Sequence, residues 1–169
     1  MNNNNKYNEK LTPIQIAFRD FIKEYDLTWS FWLTLRYNYK PTETKVRKDV
    51  NLIQRHIGKT LKTQVLYFGI YVRAMFNNFS HVHLLIHTKK SYDWNLFDTY
   101  LLTTTVKDFY LKNIFPFKHY DLKIINQMDY FKSIERISQY IVKKDHMDDG
   151  SYFLITSAPK KLNKYKRSD

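Results

Sequence analysis

The sequence contains no cysteine. Disulfides, thiolate metal sites and a cysteine nucleophile are therefore excluded, and a reducing interior suits the chain. No apolar run approaches the ~18 residues of a membrane-crossing helix. The amino terminus, Met1-Asn2-Asn3-Asn4-Asn5-Lys6, has no apolar stretch of signal-peptide length. The expectation is an intracellular, cytoplasmic protein with no membrane partner. Glycine is scarce, with three in 169 residues. Gly58-Lys59-Thr60 looks like the end of a phosphate-binding P-loop, but that motif needs a second glycine where this chain has Ile53. A P-loop is thereby excluded.

What is abundant is positive charge and aromatic surface. Lys and Arg number 28 against 16 Asp and Glu, a net charge of +12. This balance points to a polyanionic partner, nucleic acid before an anionic membrane. The membrane reading also lacks a basic amphipathic helix with an aromatic face. Hydrophobic residues make up 43% of the chain, enough for a packed core rather than a disordered polymer.

The apolar pattern divides the chain into elements. Thr12-Pro13 marks a helix start, and Ala17, Phe18, Phe21, Ile22 and Tyr25 recur at helical spacing over 13–25. Residues 28–38 alternate, with Trp29, Phe31, Leu33, Leu35 and Tyr37 on one face, which predicts a half-buried strand. Val46, Val50, Ile53, Ile57 and Leu61 predict a helix. Strands are expected at 64–75 and 81–89, joined through a turn at 76–80 as a hairpin. A helix over 94–113 capped by Asp93, a strand over 120–128 and a helix over 133–145 capped by Ser133 complete the pattern. The order is helix, then β-α-β-β-α-β-α. It predicts an α+β domain, a split-βαβ (ferredoxin-like) antiparallel sheet with helices mainly on one face. The expected boundaries are a polar tail and extra helix over 1–26, the domain over 27–150, and a basic tail over 151–169 that includes Lys160, Lys161, Lys164, Lys166 and Arg167.

Two constellations carry chemistry. His81-Val82-His83 lies in the expected third strand, where residues two apart share a face. Val82, Leu84 and Ile86 would face the helices and both imidazoles the opposite side, where they suit a divalent metal. Such a pair also arises by chance in a chain with six His. Tyr140-Ile141-Val142-Lys143-Lys144 lies on the last helix, where positions three and four apart are neighbours. An ammonium near a phenol favours the phenolate and can hold a phosphate.

Together these motifs resemble the HUH endonuclease superfamily, and within it the single-tyrosine rolling-circle replication initiators (Rep proteins). An aromatic strand, Phe31-Trp32-Leu33-Thr34-Leu35, is followed by His-hydrophobic-His in a later strand and then by Tyr-x-x-Lys on a helix, over residues 28–146. The resemblance implies an HUH nuclease-type fold and a metal-dependent nickase. Tyr140 would attack a phosphate of single-stranded DNA at an origin, often a hairpin. It would join the 5′ phosphate and free a 3′-OH that primes synthesis, and a second attack could reseal the strand. His81 and His83 would hold Mg2+ or Mn2+, and Lys143 would position the phosphate. Arg36, Arg73 and Lys144 are the expected DNA contacts. Unwinding would fall to a separate helicase, and a homodimer is a possible form.

The chain departs from the family in one respect. Members usually add a third ligand, often Glu, on the strand before the His pair, yet no Glu occurs between Glu43 and Glu135. The expected hairpin sets Arg73 and Met75 opposite the His pair, and neither is a ligand. Gln127, Asp129, Asp145, His146 or water remain for that position. His87 lies too far along the strand from His83 to share an ion and reads as a surface or DNA-contacting residue. Single-tyrosine transposases favour Gln where this chain has Lys144, and relaxases place their tyrosine ahead of the His pair. A reading of a different class is a non-catalytic nucleic-acid-binding sheet that stacks bases on exposed Trp32, Tyr67 and Tyr71 beside Arg36.

Overall fold

The computed structural model describes residues 13–24, 28–73, 80–92, 94–114, 120–125, 128–141 and 151–155. The expected amino-terminal tail, the caps Thr12 and Asp93, the turn residues 76–79, Gln127, Lys143, Lys144, Asp145, His146 and the basic cluster from Lys160 lie outside the described residues.

The elements are α1 (Pro13–Glu24), β1 (Phe31–Arg36), α2 (Glu43–Leu61), β2 (Val65–Val72), β3 (His81–Thr88), α3 (Leu96–Asn113), β4 (Tyr120–Ile124), α4 (Tyr130–Ile141) and β5 (Tyr152–Ile155). The five strands form one antiparallel sheet in the order β4-β1-β3-β2-β5. The chain is thus α+β. Among the described residues no helix is long and apolar enough to cross a membrane.

Local chemistry sets the helix ends. The Thr42 side chain accepts from the Lys45 N–H at 3.2 Å and Asn95 from the Asp98 N–H at 2.9 Å, each satisfying a donor that the first turn leaves open. Asn95 is the cap of α3. Helix α4 begins at Tyr130, so Ser133 is inside it rather than at its cap.

Helices cover both faces of the sheet, two on each. On one face α2 and α3 pack against Phe31, Leu33 and Leu35 of β1, Tyr67 and Tyr71 of β2, and Val82, Leu84 and Ile86 of β3. On the other, Ile22 of α1 and Ile134 and Ile141 of α4 pack with Trp29, Trp32, Phe68, Ile70, Val72 and Leu85. The expectation of helices mainly on one face is corrected here. The two helices that connect strands within the β1–β4 unit lie on one side, and α1 and α4, which flank that unit in the chain, close the other. For the same reason β1 is buried on both faces up to Leu35 instead of half-buried.

Two further expectations change. The strand β5, within the expected carboxy-terminal tail, pairs with β2 through Tyr71↔Tyr152 and Gly69↔Leu154. The residues opposite the His pair on β2 are Val72 for His81 and Ile70 for His83, not Arg73 and Met75. This register matches apolar faces: Tyr67, Gly69 and Tyr71 pair with Ile86, Leu84 and Val82, all toward α2 and α3. Gly69 is required here, because a Cβ at this position would lie 2.2 Å from the His83 carbonyl oxygen.

Candidate active site

Strand β3 alternates as its sequence predicts. Val82, Leu84 and Ile86 enter the α2/α3 core, and His81 and His83 point to the face that α4 crosses. The two imidazoles meet edge to face, with ring centroids 4.6 Å apart. On the other flank of β3 the partners are Thr34 for His83 and Arg36 for His81. Thr34 Oγ1 lies 3.0 Å from His83 Nδ1.

Helix α4 brings Tyr140 onto His83. Its apolar stripe, Ile134, Ile137 and Ile141, packs toward the sheet and leaves Tyr140 at the edge, 38% exposed. The tyrosine ring stands edge-on to His83 at 5.2 Å and to Trp32 at 6.1 Å, and Trp32 stacks on His83 at 5.0 Å. Three contacts tie α4, α1 and the start of β1 together. The Trp29 N–H donates to Tyr130 Oη at 3.0 Å, Trp29 Nε1 donates to the Ile22 carbonyl at 3.2 Å, and Lys23 pairs with Glu135 at 2.5 Å. The first ties the start of α4 to the chain just ahead of β1, the second ties α1 to that same segment, and the third joins α1 to α4.

Between α4 and the β1–β4 edge lies a cleft of about 530 Å³. Its floor is Trp32, Thr34 and His83, and Ile124, Ile125 and Ile137 form an apolar side. Arg36, Lys123 and Arg136 bring positive charge from three elements, against one carboxylate, Asp121. Ser133 and Tyr140 complete the lining. This surplus of cations suits a phosphate-bearing ligand.

Several of the chain's other tyrosines are packed. Burial pushes the phenols of Tyr37, Tyr67, Tyr120, Tyr130 and Tyr152 upward, and that of Tyr110 to about 12. Those hydroxyls are harder to ionise than a free tyrosine and are poor nucleophiles. Tyr140 lines the cleft.

The His pair fits a divalent ion in part. When Nδ1–H of His83 donates to Thr34, its lone pair is on Nε2, the arrangement typical of a ligating imidazole. Among the described residues no three His, Asp or Glu side chains gather to hold an ion. The described residues therefore offer two imidazoles for such an ion. Such nitrogen donors suit Mn2+ better than the oxygen-seeking Mg2+.

No protein-family model, no curated protein and no solved structure matches the chain. The site stands on its own geometry.

Of the residues expected from sequence, His81, His83, Tyr140 and Arg36 come together. Arg73 follows the end of β2, exposed, and is not part of the cleft lining. Asp129 is exposed ahead of α4 and does not line the cleft either. His87 is half-buried, and its Nδ1 donates to the Thr28 carbonyl at 2.7 Å, so it is tied to backbone. The expected stacking platform is closed: Tyr67, Tyr71 and Trp32 are 6%, 3% and 7% exposed. Sequence reasoning missed Thr34, Asp121, Lys123 and Arg136. Arg136 had a signal, since it precedes Tyr140 by four residues, one turn along the same helix. Asp121 and Lys123 share a strand face by alternation, but only the β1–β4 register, Thr34↔Asp121 and Trp32↔Lys123, brings them to the His pair.

Proposed function

We propose that the chain is a metal-dependent nickase and strand transferase of the single-tyrosine HUH type, a replication initiator that opens single-stranded DNA at a replicon origin. The observation that carries this reading is the meeting of Tyr140 with His83, which His81 adjoins, in a cation-lined cleft. The sheet order lends support. Within β1-α2-β2-β3-α3-β4, β1 and β3 are central, as a split-βαβ sheet requires.

In this reading a phosphodiester enters the cleft with its negative oxygens toward Arg36 and the His pair. Tyr140 Oη gives its proton to solvent water and attacks phosphorus. The phosphorus–O3′ bond breaks, the 3′ oxygen leaves and takes up a proton, and the 5′ phosphate stays on the tyrosine. Attack by a 3′-OH reverses the exchange and reseals a strand, so phosphodiester energy is conserved in the phosphotyrosine link. His81 and His83 would hold a divalent ion, Mn2+ or Mg2+, and such an ion would supply positive charge to offset the negative charge developing on the phosphate. Thr34 fixes the His83 ring through Nδ1.

The test needs no known origin. The protein is mixed with a diverse pool of single-stranded DNA, with Mn2+ or with EDTA, and denatured. A DNA adduct that requires metal and is lost in Tyr140→Phe is expected. Tight binding without an adduct, unchanged by EDTA, overturns the nickase and leaves a binding module.

A further inference from the structure

We propose that Trp32 is a positioning residue: its indole sets the plane of His83 and the seat of Tyr140 against one another. Its consequence for nicking rests on the nickase reading; its hold on the two rings does not.

The two groups come from different elements. His83 is on β3 and Tyr140 on α4, and the helix lies on the sheet through Ile134, Ile137 and Ile141. Aliphatic burial has no preferred direction, so it holds α4 down without fixing its rotation. Ring contacts do have preferred geometries. Trp32 of β1 touches both groups. It stacks on His83 with centroids 5.0 Å apart and planes 22° from parallel, and it meets Tyr140 edge to face at 6.1 Å and 78°. Tyr140 meets His83 at 5.2 Å and 78°, so the three rings close a triangle. All three separations are within the range, about 4.5–7 Å, favoured by aromatic pairs.

The strand register explains the reach. Trp32 stands directly opposite Leu85, and Thr34 directly opposite His83. Trp32 and His83 are therefore diagonal neighbours, a spacing that a long aromatic side chain spans. Thr34 holds one atom of the imidazole, Nδ1 at 3.0 Å, about which the ring plane can still tilt. The indole covers the ring's face and removes that freedom. Trp32 is itself well held, 7% exposed in the layer of Leu85, Ile134 and Ile141. So little open surface gives a substrate nothing to lie on, and the indole acts through its two neighbours.

The test follows adduct formation by the full chain in a single turnover, with Mn2+ and saturating single-stranded DNA. Rate constant and amplitude are read separately. Trp32→Leu keeps an apolar side chain but has no plane, and Trp32→Phe restores a ring. Phe68→Leu is the comparison, because it removes another buried ring of the same layer, one packed on Phe21 and Phe153. Loss of packing alone lowers the amplitude, since fewer molecules are folded. Misplaced groups lower the rate constant instead. Trp32→Leu is expected to lose about 10- to 100-fold in rate constant, the scale of a shift of about 1 Å. Trp32→Phe should recover most of that loss, and Phe68→Leu should keep the wild-type rate constant. An equal loss in Phe68→Leu, a fall in amplitude alone for Trp32→Leu, or no recovery in Trp32→Phe overturns the proposal. A second readout needs no chemistry. Nuclear Overhauser contacts between the His83 and Tyr140 rings should be lost in Trp32→Leu and kept in Trp32→Phe, and their persistence in Trp32→Leu overturns the proposal as well. Absence of any adduct in the wild type would sink the nickase and leave this second readout to decide.

Discussion

The two faces of the sheet are written by the same strands and serve opposite ends. On the α2/α3 face β3 contributes Val82, Leu84 and Ile86 to a core whose members are almost wholly apolar. On the α1/α4 face the same strand contributes His81 and His83, and beside them lie Thr34, Arg36, Asp121 and Lys123. One face holds the fold together. The other spends part of its packing on a cleft, and its helix α4 carries Tyr140 to that cleft. The period of two along a strand allows this division, because each face can be chosen independently.

Substitutions that strike one face and spare the other sharpen the contrast. The largest effect is expected from Tyr140→Phe, which should lower adduct formation by about a thousandfold or more, the scale of losing a nucleophile. Its thermal unfolding should match the wild type, since the hydroxyl is on a partly exposed ring. Next comes Leu84→Ala, one residue from His83 but on the opposite face and fully buried. It should cost about 2–5 kcal/mol in denaturant unfolding and leave activity per folded molecule nearly unchanged. If Leu84→Ala abolished nicking in fully folded protein, the two faces would not be separable.

Gly69→Ala tests the seam between them. A methyl there meets the His83 carbonyl, so β2 and β3 must part, at a cost of about 1–3 kcal/mol. Because the displaced residue is His83, metal-dependent nicking should fall along with stability. Tyr130→Phe removes the acceptor of the Trp29 N–H and should cost about 1 kcal/mol in unfolding.

The smallest effect concerns pH. The hydrogen bond from Lys23 holds the Glu135 carboxyl below the ordinary glutamate range, against an opposing push from burial. A lowered native pKa stabilises the fold above the ordinary glutamate value, and that contribution is lost as pH falls through the native value. Both side chains are more than a third exposed, so the expected contribution is about 0.5 kcal/mol or less. Glu135→Gln should remove that part of the acid-side slope in urea unfolding curves.

Much of this division was legible in the sequence, and the parts that were not have a common cause. Alternation gave the two faces of β3 and the setting of the His pair opposite Val82, Leu84 and Ile86, and the Ile134-Ile137-Ile141 stripe left Tyr140 at the helix edge. Alternation within a strand does not say which residue of another strand stands alongside. The Thr34–His83 contact, the approach of Asp121 and Lys123, and Val72 rather than Arg73 opposite His81 all depend on register, which the packing of distant segments decides. Strand β5 is only four residues long beside a basic stretch, and it gains its place by pairing with β2. The second pair of helices hid β1 from solvent because no local pattern tells a half-buried strand that a later helix will cover it.

The most direct measurement asks which residue carries the DNA. The chain is trapped on a single-stranded pool in Mn2+, digested with protease and nuclease, and sequenced by mass spectrometry. The account predicts a nucleotide remnant on the peptide containing Tyr140, joined through a phosphotyrosine bond and absent after EDTA. A remnant on any other residue, or none in protein that binds the pool tightly, would contradict it.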